Sequence, residues 1–317
     1  MRNMRTPLKR TIVGILVVIF SLAAVDFCVG ILGDQLMKMV PDYSIQNVVK
    51  DNYCLNRVDA DIVIIGSSRG QNAYVPAMLR DSINQYVGRN YSLYNGAIEG
   101  KTVYASACTI ESILARYSPK LIVFDITQRE CSGARKKEMD YSIVNYHNNE
   151  YVKQYVDRLG VRERLLAQSN LYRYNRKLVG ILASFSQPGT KDGYKPKFNR
   201  MKEVSNEEAA IEKSAIPMDA YCAKSVAHVM KLAKDKGILL VMAFSPMFSP
   251  NDRNDDMLEL CSQYYTPCVD CYDSETFNMH PEYFNDPIHL NDDGAHLYTK
   301  MFFETIKPFL DEYFICL

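Results

Sequence analysis

The 317-residue sequence has no net charge, no internal repeat, no low-complexity tract and only one long apolar run. Its 37 basic side chains balance 37 acidic ones, so bulk charge gives it no hold on a polyanion, and no nucleic-acid partner is expected. An apolar fraction of 47% with 23% charged residues excludes an intrinsically disordered or collagenous chain. The cysteine pattern is incomplete for a metal. Cys268-x-x-Cys271, with Cys261 before it and His280 after, has no second pair at the spacing of a structural zinc site. Nine cysteines, an odd number, also fit poorly with a disulfide framework. Pro267-Cys268-Val269-Asp270-Cys271-Tyr272 reads instead as a short strand, with incidental cysteines or one local disulfide.

The charge balance hides an asymmetry. Residues 1–10 carry Arg2, Arg5, Lys9 and Arg10 and no acid, leaving 33 bases against 37 acids in the remainder. The apolar run follows at once, from Thr11 to Gly33, with Asp26 as its one charge. Twenty-three residues at about 1.5 Å each exceed a hydrocarbon core of about 30 Å. The run is long for a signal-peptide core and lacks a small-x-small cleavage site. The reading is an uncleaved signal anchor over 11–33, with a cytoplasmic tip at 1–10 and everything beyond about residue 35 outside the inner face. Asp26 is expected either at the outer interface or as a functional polar group within the membrane. Residues 34–57 read as a linker and 58–317 as the globular domain.

That domain alternates strand and helix. Asp61 to Ile65, Tyr91 to Tyr94, Leu121 to Phe124 and Ile238 to Phe244 are short runs of strand type, and the aliphatic ones read as buried on both faces. Helices are expected over 76–86, 102–117, 219–236 and 292–310, the last capped by Asn291 or Asp292. Strands separated by helices mean βαβ units, hence an α/β fold with a mostly parallel sheet. Residues 131–218 interrupt the pattern. They are rich in Tyr, Arg, Lys and Asn, and read as a helical insertion, with a lid over the carboxyl edge of the sheet as its expected place.

Open parallel sheets place their sites beyond the carboxyl ends of the strands. Gly66-Ser67-Ser68-Arg69-Gly70 follows the first strand, Asn95 to Thr102 the second, and Asp125 to Glu130 the third; Asp286-Pro287-Ile288-His289 precedes the last helix. A serine at a tight strand exit needs a base to become nucleophilic, an imidazole can be that base, and a carboxylate fixes the imidazole tautomer. Asp286 and His289, three residues apart, can meet within one turn. A second copy, Asp293-x-x-His296, falls inside the last helix and reads as a surface pair. Gly96-x-x-x-Gly100-Lys101-Thr102 is one residue too short between its glycines for a phosphate loop.

Taken together and in this order, the segments resemble the SGNH (GDSL-type) hydrolase superfamily over roughly 58–130 and 219–310. Gly66-Ser67-Ser68 stands at its Gly-Asp-Ser block, Asn95 through Gly100 to Thr102 at its Asn-x-x-x-x-Gly-x-Thr block, and Asp286 to His289 at its Asp-x-x-His block. The third block departs: where the family has Gly-x-Asn-Asp, this chain has Gln128 and Arg129. Membrane-anchored relatives that assist acylation of envelope polymers also carry Gly-Ser-Ser first blocks. The resemblance implies a three-layer, flavodoxin-like α/β/α fold and no metal or organic cofactor. It implies catalysis by Ser68, His289 and Asp286, with an oxyanion held by Ser68 and Gly100 and aided by Arg129 or Gln128. An acylated carbohydrate or lipid-linked glycan would be the substrate and a membrane acyltransferase the partner. A non-catalytic accessory domain is the alternative.

Overall fold

Residues 5–132, 139, 141–187, 189–202 and 214–315 are described by the structure, a computed structural model. In chain order, α1 (Arg5–Met39) and α2 (Asn47–Asn56) precede β1 (Ile62–Gly66). Next come α3 (Ser68–Ala73), α4 (Pro76–Val87), β2 (Leu93–Asn95), α5 (Val103–Arg116) and β3 (Leu121–Asp125). Four short helices follow: α6 (Glu150–Leu159), α7 (Val161–Gln168), α8 (Asn170–Tyr174) and α9 (Lys177–Ala183). Then β4 (Ser214–Ala215), α10 (Ala220–Asp235), β5 (Leu239–Phe244), β6 (Asp252–Arg253), α11 (Asp255–Tyr264) and β7 (Cys268–Asp270) complete the middle of the chain. It closes with β8 (Phe284–Asp286), β9 (His289–Leu290) and α12 (Asp292–Leu310).

The main sheet is parallel, in the order β2-β1-β3-β5-β7. Its side chains alternate with the strand period of two. Ile62 and Ile64 of β1 share one core with Leu79 and Ile83 of α4 and Tyr298, Phe302 and Ile306 of α12. Val63 and Ile65 share the other with residues of α2, α5 and α10. The fold is therefore three-layered, as expected, and each buried aliphatic side chain contributes roughly 1.5–3 kcal/mol. Helix ends follow local chemistry: Thr102 caps α5 by accepting from Ala105 N–H at 3.1 Å, and Asn291 caps α12 by accepting from Gly294 N–H at 2.9 Å. Strand order reverses between β1 and β3, which opens a crevice at their carboxyl ends.

Two sequence expectations need correction. Residues 34–57 are not a linker: α1 continues to Met39, and every side chain of α2 from Val48 to Leu55 is buried. Burial all round includes Lys50, Asp51 and Asn52, so α2 has no apolar stripe for a pattern to reveal. The helices of the 131–218 insertion are not a lid either, among the described residues. α6 packs on α5, while α8 and α9 pack on α1 and share a small core with Met37, Val40 and Val48. What crosses the carboxyl edge is an extended stretch: Asp192 O accepts from Asn95 N–H at 2.8 Å, and Lys197 O accepts from Asp292 N–H at 2.7 Å. The other insertion residues, 133–138, 140, 188 and 203–213, lie outside the described ones.

Within α1, the apolar helical stretch Lys9–Met39, of 31 residues, is long enough to cross a bilayer.

Candidate active site

β1 ends at Gly66, where a Cβ would stand 2.2 Å from Asp125 O, so the backbones of β1 and β3 meet too closely for any side chain. The chain then turns into α3, with Ser67 as N-cap, its Oγ accepting from Arg69 N–H at 3.4 Å. Ser68 is thus the first helical residue, and position alone leaves its N–H without an intrahelical acceptor. The loop after β2 is braced on the same helix: Asn95 Nδ2 donates to Gly70 O at 3.0 Å, and its Oδ1 accepts from Ala97 N–H at 3.0 Å. Lys101 N–H bonds Ile98 O at 3.1 Å, closing a turn that needs φ +75° at Gly100.

The Asp-x-x-His segment arrives from the far end of the chain. Asp286 and His289 are cross-strand partners in the β8–β9 hairpin, with Pro287-Ile288 between them. His289 Nδ1 lies 2.8 Å from Asp286 Oδ1, and its Nε2 lies 2.7 Å from Ser68 Oγ. The hairpin seats against α3 and the start of α12, where Asn291 also donates to Glu282 O at 2.8 Å. Burial pushes the Asp286 carboxyl up, but hydrogen bonds from His289, Asn285 and Ile288 N–H, with the imidazole's charge, outweigh it and hold the group below its usual range. An Nδ1–H donated to that carboxylate leaves Nε2 to accept the Ser68 proton.

Beside Ser68 opens a cavity of about 320 Å³, lined by residues from all three strand exits, among them Gly100, Thr127 and Arg129, and by Met247 and Ile288. Gly100 is therefore at the cavity with Ser68. The third segment splits. Gln128 faces away: its Nε2 donates to Ile216 O and its Oε1 accepts from Met257 N–H, so the expected oxyanion role is corrected for this residue. Arg129 stays at the cavity, its guanidinium bonded to Asn251 Oδ1 at 2.8 Å and 3.5 Å from Asp252. Lys101 is spent elsewhere, buried in an ion pair with Asp51, which removes the phosphate-loop reading. His296 is exposed on α12 and bonds Asp292 O at 2.8 Å, remote in role from the Ser68 chain.

Beneath Ser68 lies a buried network to which the sequence assigned no role. Asp125 accepts from Tyr74 Oη at 2.7 Å and from Ser245 Oγ at 3.0 Å. Arg69 bonds Ser245 O and stacks over the Tyr272 ring at 5.0 Å. Burial pushes the Asp125 carboxyl up to about 6 against the opposing pull of Arg69 and the Tyr74 hydroxyl. The only sequence signal was adjacency, since Arg69 follows Ser68 and Asp125 ends a strand.

No protein-family model and no curated protein matches the chain. Among solved structures it is similar to a Bacteroides fragilis NCTC 9343 protein described as an acylhydrolase, at 12% identity and TM-score 0.36, over 78% of this chain and 87% of that one. It is also similar to a lipase/acylhydrolase from Enterococcus faecalis, at 10% identity and TM-score 0.39, over 78% and 95%. With TM-scores below 0.5, neither similarity carries weight for the chemistry, which rests on the side-chain geometry above.

Proposed function

We propose that the chain is an SGNH-type serine esterase or O-acyltransferase, anchored in a membrane by α1 and acting outside the cytoplasm on acyl esters of an envelope glycan. The observation that supports the chemistry is the hydrogen-bonded series Ser68–His289–Asp286 at the switch point of the sheet, beside a cavity. Ser68 Oγ attacks the acyl carbonyl while His289 Nε2 takes its proton. The tetrahedral oxyanion is held by the N–H groups of Ser68 and Gly100, with Arg129 adding positive charge. His289 then protonates the leaving alcohol, and the acyl group remains on Ser68 as an ester. Water or a sugar hydroxyl, deprotonated by His289, attacks that ester and frees Ser68. Asp286 keeps the imidazole oriented and stabilises its charged form.

Fluorophosphonate labelling of the full chain in detergent tests this reading, because the probe phosphonylates only an activated serine. Labelling that disappears in Ser68→Ala supports it, and no labelling together with no turnover of acetyl esters overturns it. One observation favours a second reading, a non-catalytic domain that binds a glycan or docks a membrane acyltransferase. Gln128 is turned away from the cavity, so the third strand exit supplies no neutral amide donor. Glycan binding by an unlabelled protein is the result that reading requires.

A further inference from the structure

Large apolar side chains are exposed in two ways over the globular part of the molecule. Outside the insertion helices they are scattered singly, as is ordinary for a soluble surface. Between Val161 and Phe185 they are concentrated: seven exposed large apolar or aromatic residues fall within 25 positions. Val161 is 62% exposed, Leu165 64%, Val179 72% and Leu182 56%. The same segment is cationic. From 160 to 187 it carries Arg162, Arg164, Arg176 and Lys177 towards the surface, with Arg173 buried, against the single acid Glu163, in a body whose net charge is otherwise negative.

These helices are fixed to α1. Asp26, the one charge in the apolar run, accepts from Ser169 Oγ at 2.7 Å, Asn170 N–H at 3.1 Å and Leu171 N–H at 2.9 Å, at the start of α8. Tyr174 Oη donates to Asp34 one helical stretch further along α1. Gly30 and Gly33 allow the contact, since a Cβ on either would fall 2.6 Å from Asn170 or 2.4 Å from Tyr174. If the span begins at Thr11, about 20 residues at 1.5 Å bring the outer edge of a hydrocarbon core of about 30 Å to near residue 30. α8 is therefore held at the depth where acyl chains give way to headgroups.

We propose that α7, α8 and α9 lie in the lipid interface of the bilayer that α1 crosses, their apolar side chains among the upper acyl carbons and the exposed Arg162, Arg164 and Arg176 at anionic lipid phosphates. The inference rests on the membrane-spanning reading of α1. Its chemistry is that of interfacial amphipathic helices: apolar area together with basic groups able to reach the phosphate layer. Continuity with α1 and charge complementarity favour lipid over a protein partner on this surface. Asp26 then serves as the joint that makes the anchor a rigid mount instead of a loose tether.

The sequence contains no tryptophan, so single tryptophans report without background. The full-length variants L165W, V179W and L182W, and F20W on α1, are reconstituted into phosphatidylcholine–phosphatidylglycerol vesicles with and without brominated acyl chains. The expected result is blue-shifted emission and loss of fluorescence on bromolipid at 165, 179 and 182, shallower than at 20, with little quenching by aqueous acrylamide. Quenching at 20 alone, with 165, 179 and 182 open to acrylamide, overturns the interfacial placement while leaving the anchor intact, and assigns the patch to a protein partner. Absence of bromolipid quenching at 20 overturns the anchor and the placement together.

Discussion

Ser68 Oγ and His289 Nε2 stand 2.7 Å apart although 221 positions separate the two residues. The contact is made by two rigid pieces, the first turn of α3 and a two-residue hairpin turn, so neither side chain depends on a long loop. Asp286→Asn keeps the shape of this hairpin but favours the wrong imidazole tautomer. The expected loss in acyl-ester turnover is on the order of 10³–10⁴-fold, with unfolding behaviour close to wild type.

The parts of the fold legible in the sequence are those with one strong local signal. Ile62 to Ile65 and Leu121 to Phe124 are unbroken aliphatic or aromatic runs, and α12 begins where Asn291 can cap it. Ser68, Gly100, Asp286 and His289 were legible because each occupies a strand exit or a turn with a fixed local pattern. α2 was not, because its polar face is turned inward: Lys50 donates to Gly193 O at 2.9 Å, and Asp51 takes Lys101 and Ser142. Partners that distant leave no trace in a window of ten residues. Gln128 was misplaced for a related reason, since a spacing can bring a residue to the right strand exit without fixing the direction of its side chain.

Gly66→Ala tests the close approach under Ser68. The added methyl would meet Asp125 O at 2.2 Å, and both backbones are tied into a five-residue parallel register. The expected cost is roughly 2–3 kcal/mol, read as a lowered urea midpoint of the full chain in detergent. Esterase activity should fall more than stability requires, because any relief of the clash moves Ser68.

Asp125 makes stability depend on pH in an unusual direction for a carboxyl. Its folded value, pushed up to about 6, lies above the usual 3.8, so its contribution is fully present below about pH 4 and is lost as pH rises through 6. Two units correspond to about 3 kcal/mol between pH 4 and pH 7. In Asp125→Asn that component vanishes, while the Tyr74 and Ser245 hydroxyls can still bond the amide. The wild-type minus variant difference in unfolding free energy should therefore decline from pH 4 to 7. A difference independent of pH would show that Asp125 titrates normally.

The side of the membrane can be read from thiols. Cys131, at the third strand exit, neighbours Cys222 of α10, and Cys268 of β7 neighbours Cys261 of α11. Among the described residues no cysteine forms a disulfide, and these neighbours push the Cys131 and Cys268 thiols well up, so neither is a ready thiolate. In an extracytoplasmic compartment, thiol oxidases convert such neighbours to disulfides; in a reducing cytoplasm they stay thiols. Protein taken from membranes in acid, denatured and alkylated should leave these four cysteines unmodified and Cys54 and Cys108 modified. Alkylation at all four would put the globular domain on the cytoplasmic side, against the positive-inside reading of Arg2, Arg5, Lys9 and Arg10.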